Sequence, residues 1–169
     1  MSQTIDSKKN SPPLQELNEL ARRLVAEQNT LTLATAEGDT AWAAPVYYVF
    51  LKSSFYFLSS PNSRHITEAL KSSRASASMH ATASTWEEIR GLQMAGRIRV
   101  VNPGLDAIQV LRAYLKKYPF TKEFFKENIS LDLDTFAQRF GVKLYRFIPT
   151  LVYYLDNQIR FAFREEVTL

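Results

Sequence analysis

Apolar residues near the start of the chain recur at intervals of three and four, which predicts an amphipathic helix. This stripe consists of Leu14, Leu17, Ala21, Leu24 and Val25. A second helix is predicted over 64–71, with Ser63 as its N-cap. A third should begin after Asn102-Pro103, and its inner face would be formed by Leu105, Ile108, Leu111 and Leu115. Residues 120–128 and 132–140 have the pattern of two more short helices.

Strand-like patterns fill most of the remaining chain. They cover 31–35, 42–51, 55–58, 75–81, 89–101, 142–148, 151–155 and 158–163. The segment 42–51 is apolar at both parities, so we expect both of its faces to be covered, one filling a barrel and the other meeting a partner subunit. Short turns join most strands, and strands do not alternate regularly with helices. The pattern therefore predicts a mainly β fold, an antiparallel barrel with flanking helices.

Length and composition narrow the class of protein. A chain of 169 residues suits one domain, so we expect a flexible N-terminal segment over 1–13 and a single domain over 14–169. No apolar run approaches the roughly 18 residues of a membrane span, and the first dozen residues carry no signal-peptide core. The absence of cysteine excludes disulfides, thiolate catalysis and zinc ribbons. The expected location is cytoplasmic, with no membrane partner.

The charge balance favours a small anionic ligand over nucleic acid. The chain has 21 basic and 17 acidic residues, a net charge of +4, and its Lys and Arg residues are scattered. Nucleic-acid binders usually cluster them on one face. Arg97 and Arg99 fall on the same side of a predicted strand, which is usually a solvated face.

The best candidate for an anion site is the loop 59–65, which follows a strand and opens a helix. Its candidate binding residues are Ser59, Ser60, Ser63, Arg64 and His65. Three hydroxyls, a guanidinium, an imidazole and a helix N-terminus would point the same way. The alternative is a capped helix with an exposed arginine.

Other catalytic and metal-binding patterns are absent from the sequence. The five glycines form no phosphate loop, no Gly-x-Ser-x-Gly elbow is present, and the two histidines, His65 and His80, lack the spacing of a metal site. Adjacent Glu87 and Glu88 would point in opposite directions in extended chain. No catalytic residue and no metal ligand is assigned.

Several motifs in a fixed order resemble a known family. These are Ala44-Pro45-Val46-Tyr47, FYFLSS over 55–60, Ser63-Arg64-His65, IRGLQMAG over 89–96, and VYYLDN over 152–157 with Phe161 and Arg164-Glu165 behind it. Together they resemble the pyridoxamine 5′-phosphate oxidase-like family of FMN-binding split barrels, and a poorly characterised bacterial branch of it in particular.

This resemblance implies a homodimer with two FMN molecules at the subunit interface. The FMN phosphate would face Ser59, Ser60, Arg64 and His65, and the isoalloxazine ring would be flanked by Ala44, Pro45, Val46 and Tyr47. Gln93, with Trp86 and Arg90, would come from the neighbouring subunit. The implied function is an FMN-dependent oxidoreductase acting on a small molecule. The alternatives are a flavin or haem binding module without turnover, and a structural dimer with a vestigial site.

Overall fold

The computed structural model describes residues 11–120 and 140–169. Within these ranges the helices are α1 (Leu14–Glu27), α2 (Arg64–Ser72) and α3 (Leu105–Lys117), with a short 3-10 helix at Trp86–Glu88. The strands are β1 (Thr30–Glu37), β2 (Thr40–Tyr47), β3 (Val49–Leu51), β4 (Ser54–Ser59), β5 (Ala75–His80), β6 (Arg90–Val100), β7 (Lys143–Asp156) and β8 (Arg164–Glu166).

These strands form one antiparallel sheet in the order β2-β1-β5-β6-β7-β4-β3, with β8 on the edge of β7. The sheet curls around its own apolar face to form a split β-barrel with flanking helices, so the predicted fold class is confirmed. The long strand β7 joins the two halves, because it pairs with β6 along most of its length and with β4 near its start.

The core lies inside the curl, where alternate residues of each strand point. Leu33, Phe57, Ile98 and Phe147 are fully buried there, and α1 and α2 add their apolar stripes to the same cluster. A second cluster lies on the opposite side of β3 and β4, where α3 packs against Val49 and Tyr56. None of the described helices covers the rest of that opposite side.

The predicted strand 42–51 is two strands. The chain breaks at Tyr48, whose amide donates to the Tyr118 hydroxyl at 3.2 Å. The break allows β2 to pair with β1 while β3 pairs with β4. Ala44 and Val46 face the core, whereas Ala43, Pro45 and Tyr47 are exposed on the other face in the single chain.

Two predictions near the C-terminus are wrong. The segments predicted as two strands, 142–148 and 151–155, form the continuous strand β7, which carries Pro149 at a register shift opposite Gly96. The predicted strand 158–163 is a series of turns, because Asp156 Oδ1 accepts from the Gln158 amide and Asn157 Oδ1 from the Ala162 amide. Side-chain oxygens that bind nearby amides compete with strand pairing in this way.

The inner face of α3 also differs from the prediction. Its buried residues are Ala107, Val110, Leu111 and Tyr114. Leu105, in the first turn of α3, is 80% exposed. The predicted helices 120–128 and 132–140 lie almost entirely outside the described residues. None of the described helices is both long and apolar enough to cross a membrane.

Candidate functional site

The uncovered side of β1, β2, β5 and β6, here called the outer face, is lined by small side chains in register. One row across the sheet is Ala43, Ala34, Ser76 and Ala95, and the next is Pro45, Thr32, Ser78 and Gln93. Small side chains leave a shallow groove in two adjoining parts of about 650 and 340 Å³. Gln93 and Tyr153 line the smaller part, and Arg74 and Arg97 the larger.

The loop 59–65 brings three of its predicted residues together. Ser59 Oγ lies 2.9 Å from His65 Nε2 and 3.0 Å from Ser63 Oγ, and Ser63 Oγ lies 3.3 Å from the same imidazole nitrogen. The geometry follows from the local fold, since β4 ends at Ser59 and α2 begins at Arg64 after a tight turn. We call Ser59, Ser63 and His65 the hydroxyl–imidazole cluster.

Ser63 occupies the N-cap position of α2, as predicted, but its side chain makes no capping hydrogen bond. Its hydroxyl donates instead to the Ser60 carbonyl at 2.8 Å. The first amides of a helix have no acceptor within it and carry partial positive charge. The N-terminus of α2 therefore keeps uncapped donors beside the hydroxyl–imidazole cluster.

The imidazole of His65 is held in its neutral form. Partial burial lowers the pKa of His65 below its usual 6.5, and the nearby Glu68 carboxylate opposes this only in part. A neutral imidazole carries one N–H donor and one acceptor nitrogen. At neutral pH the cluster thus offers hydrogen bonds, and positive charge must come from elsewhere.

Arg64 is the nearby cation, and it is held on the side of α2. Its Nε donates to Glu68 Oε1 at 2.5 Å, and its guanidinium lies 4.9 Å from the centre of the Trp42 ring. Glu68 is only 3% exposed and also accepts from Thr35 Oγ1 at 2.6 Å. The bond from Arg64, followed by that from Thr35, lowers the pKa of Glu68, so the carboxylate stays ionised. The other guanidinium N–H groups remain as donors.

The predicted ring-flanking residues divide between two faces. Ala44 and Val46 are buried in the core, whereas Pro45 shares an outer-face row with Gln93. Tyr47 is 49% exposed and packs edge-on against the rings of Tyr118 and Phe120.

Gln93 and the loop 59–65 do not meet within one chain. Gln93 is paired with Tyr153 and Ser59 with Lys143, so ten residues of β7 separate the two partners. That is about 33 Å along the strand. Gln93 and the start of the loop therefore lie beside well-separated positions of β7.

Trp86 and Arg90 lie together near the C-terminal turns, away from the loop. The exposed Trp86 ring contacts Phe161 edge-on at 5.6 Å, and its carbonyl accepts from Asn157 Nδ2 at 2.8 Å. Arg90 forms an exposed ion pair with Glu27 at 3.5 Å.

The glycines on either side of Gln93 serve the sheet itself. A Cβ at Gly91 would lie 2.5 Å from the Met79 carbonyl oxygen, and one at Gly96 would lie 2.8 Å from the Phe147 ring. Close approach of neighbouring strands therefore requires both glycines. Their space is not available to a ligand.

Three residues of the site were missed by sequence reasoning, namely Trp42, Thr35 and Glu68. The spacing of Glu68 four residues after Arg64 is the signal that could have predicted their ion pair. Nothing local could have placed Trp42 under Arg64, because that contact depends on how α2 crosses β1 and β2. Within 11–120 and 140–169, no three His, Asp or Glu side chains gather closely enough to hold a metal ion.

No protein-family model matches the chain. Over 101 residues the chain is 28% identical to a UPF0306 protein of Cronobacter sakazakii. The matched segment covers 58% of this chain and 69% of that protein. Among solved structures it is similar to a haem-binding protein from Mycobacterium smegmatis, at 18% identity and a TM-score of 0.68. That match covers 94% of this chain but only 59% of the mycobacterial one.

A second similar structure is an FAD-binding protein from Mesorhizobium loti. The identity is 16% and the TM-score 0.59, over 79% of this chain and 90% of that one. At such identities the similarity establishes the shared fold. The chain is a split barrel of the kind found in these flavin-binding and haem-binding proteins.

Proposed function

We propose that this protein binds FMN as a homodimer and uses it to oxidise or reduce a small organic molecule. The observation that carries the proposal is the hydroxyl–imidazole cluster at the uncapped N-terminus of α2. Hydroxyls, helix amides and a nearby guanidinium are the donors that hold a phosphate monoester. The FAD-binding protein of similar fold supports a flavin on this scaffold.

The residues present fit a flavin nucleotide in two respects. Ser59, Ser63 and Arg64 would hold the phosphate, with Trp42 and Glu68 fixing the guanidinium. Pro45 and Gln93 lie in one exposed row of each chain, and this row in the neighbouring chain would suit the ring. The Gln93 amide can both donate and accept a hydrogen bond at a ring edge. When bound, FMN would supply the hydride or electron transfer, and the protein orients the ring and controls access to it.

The first test is the absorbance spectrum of the purified protein, followed by titration of the apoprotein with FMN. Arg64→Ala should raise the dissociation constant about ten- to a hundredfold, the effect of losing one ionised donor to a phosphate. Arg23→Ala, which removes an exposed arginine of α1, is the matched control and should leave FMN binding unchanged.

Loss of Arg64 also strips buried Glu68 of its ion-pair partner, so Arg64→Ala/Glu68→Gln belongs in the same experiment. Recovery of thermal stability without recovery of FMN affinity would support direct phosphate contact. An unchanged dissociation constant in Arg64→Ala would remove Arg64 from the site. Reduction of bound flavin by NADH or NADPH would support an enzyme over a binding module.

Haem binding without turnover is the second candidate, and the exposed His80 on the outer face favours it. Its Nδ1 lies 3.0 Å from the Ala81 carbonyl oxygen, which leaves Nε2 free to ligate iron. A Soret band upon haem addition that disappears in His80→Ala, together with no FMN binding, would favour this function over the first.

A further inference from the structure

Four arginines meet on the outer side of the sheet at the end away from Gln93. Arg99 of β6 lies directly opposite Arg146 of β7. Arg74 and Arg97 are the next opposing positions beyond the paired residues Ala75 and Gly96. Because Arg97 and Arg99 are two residues apart on one strand, both pairs lie on the same face.

This arrangement costs free energy unless an anion is present. Like charges directly opposite one another destabilise a pair of strands. Each of the four arginines is exposed, and within the described ranges none forms an ion pair with a carboxylate. The pKa of Asp106 is lowered chiefly by its 2.7 Å bond to Lys52 and in smaller part by the charge of Arg146, so this carboxylate is already engaged by another cation.

The arginines also border a space of suitable size. Arg74 and Arg97 line the 650 Å³ part of the outer-face groove, whose other walls include Ala36, Ala41 and Thr150. A small apolar body could lie against the alanines while its charged group meets the guanidiniums. Arginine suits this role because its planar fork binds phosphate oxygens in pairs.

We propose that Arg74 and Arg97, assisted by Arg99 and Arg146, form a binding site for the phosphate group of a small organic phosphate. The site is separate from the loop 59–65 and does not depend on the proposed flavin. Its ligand would place a phosphate between Arg74 and Arg97 and a compact apolar portion against Ala36 and Ala41.

The test is calorimetric titration of the full-length protein with phenyl phosphate and with inorganic phosphate. Phenyl phosphate should bind more tightly, since its ring gains contact with the alanines. Arg74→Gln and Arg97→Gln should each weaken binding at least about tenfold. Arg23→Gln, which removes an exposed arginine of α1, should change it less than about twofold.

Thermal melting provides an independent readout. In phosphate-free buffer, Arg97→Gln should melt higher than wild type, because removing one charge relieves the repulsion. Added phenyl phosphate should raise the melting temperature of wild type by more than that of Arg74→Gln/Arg97→Gln.

Three results would overturn the proposal. The first is absence of saturable binding, and the second is equal weakening by Arg23→Gln, which would indicate diffuse attraction. The third is dissociation of a dimer by Arg97→Gln with no phosphate binding, which would mean that the arginines meet a second copy of the chain.

Discussion

Lys117 at the end of α3 is a half-buried cation that connects this helix to the end of α1. Its Nζ donates to the Gln28 carbonyl beyond α1 at 2.7 Å and lies 4.1 Å from the centre of the Tyr48 ring. Burial lowers the pKa of Lys117 to about 8, against about 10.5 for a free lysine. Within the described residues the ammonium is therefore held by one carbonyl and two aromatic rings, those of Tyr48 and Tyr118, with no carboxylate to offset its burial.

This depressed pKa makes stability depend on pH in a defined window. Between about pH 8 and 10.5 the unfolded chain keeps the proton that the folded protein has lost, so stability rises with pH there. The gain should be less than about 1.4 kcal/mol per pH unit, because half of the group remains screened by water. Urea unfolding of wild type and Lys117→Met at pH 7, 8, 9 and 9.5 measures it.

Tyrosines that do not contact Lys117 titrate alike in both proteins and cancel in the difference. Burial raises the pKa of Tyr48 and Tyr118, which do contact Lys117, so in the folded protein they keep their protons up to pH 9.5. The free energy of unfolding of wild type should therefore increase relative to Lys117→Met above pH 8. A constant difference across the series would show that Lys117 titrates normally.

At the scale of residues, the sequence placed the polar side chains of the loop 59–65 together, but it did not predict the contacts that hold Arg64 and Glu68. Ser59, Ser63 and His65 come together because a strand end, a turn and a helix start are encoded locally. The contacts of Arg64 with Trp42 and of Glu68 with Thr35 join separate elements. No local pattern could reveal them.

At the scale of elements, β6 and β7 approach each other closely at their register shift. Gly96 lies opposite Pro149, where a Cβ would press against the Phe147 ring and the Ile148 carbonyl oxygen. Proline is tolerated in this central strand because the irregularity removes the need for its missing amide. The shift lies between the segments 142–148 and 151–155, which were predicted as two strands and form one.

Gly96→Ala should destabilise the protein by about 1–3 kcal/mol, the usual cost of forcing extra volume into a packed interior. Ala95→Ser, one residue earlier but on the exposed outer face, should cost less than about 0.5 kcal/mol. Equilibrium denaturation of both variants gives the comparison. Equal stabilities would mean that β7 can shift away from Gly96 without penalty.

The distinction between local patterns and contacts with distant residues also explains which elements were predicted correctly. Helical stripes and short strands depend on their own residues, and α1, α2, β4 and β5 agree closely with expectation. The break at Tyr48 depends on Tyr118, seventy positions later, and the rotated inner face of α3 depends on the sheet beneath it. Such features are set by distant parts of the chain.

For the molecule as a whole, the separation of Gln93 from the loop 59–65 makes a shared site testable. Mixing Arg64→Ala chains with Gln93→Ala chains should produce heterodimers in which one of two sites is intact. These heterodimers should bind about half the FMN of the wild-type homodimer, while each parent homodimer binds poorly.

Light scattering at micromolar concentration must first show a dimer, which the exposed Ala43, Pro45 and Tyr47 lead us to expect. Subunit exchange can be verified with chains of different mass. If exchange occurs and the mixture binds no more FMN than its parents, Arg64 and Gln93 do not serve one composite site.

The fold class followed from the whole sequence pattern, because turn spacing and strand count constrain an antiparallel barrel strongly. The outer-face groove did not, since exposed alanines and serines on β1, β2 and β5 resemble any solvated strand until the sheet aligns them.

The central position of β7 has a consequence for synthesis of the chain. Among the described strands, pairing joins β3 and β4 to the β1-β2-β5-β6 sheet only through β7, which is synthesised after all of them. Until then β4 and β6 each present an unpaired edge to other nascent chains. A premature stop anywhere before Lys143 would leave two half-sheets with exposed edges, a species prone to aggregation and a natural target for chaperones and proteases.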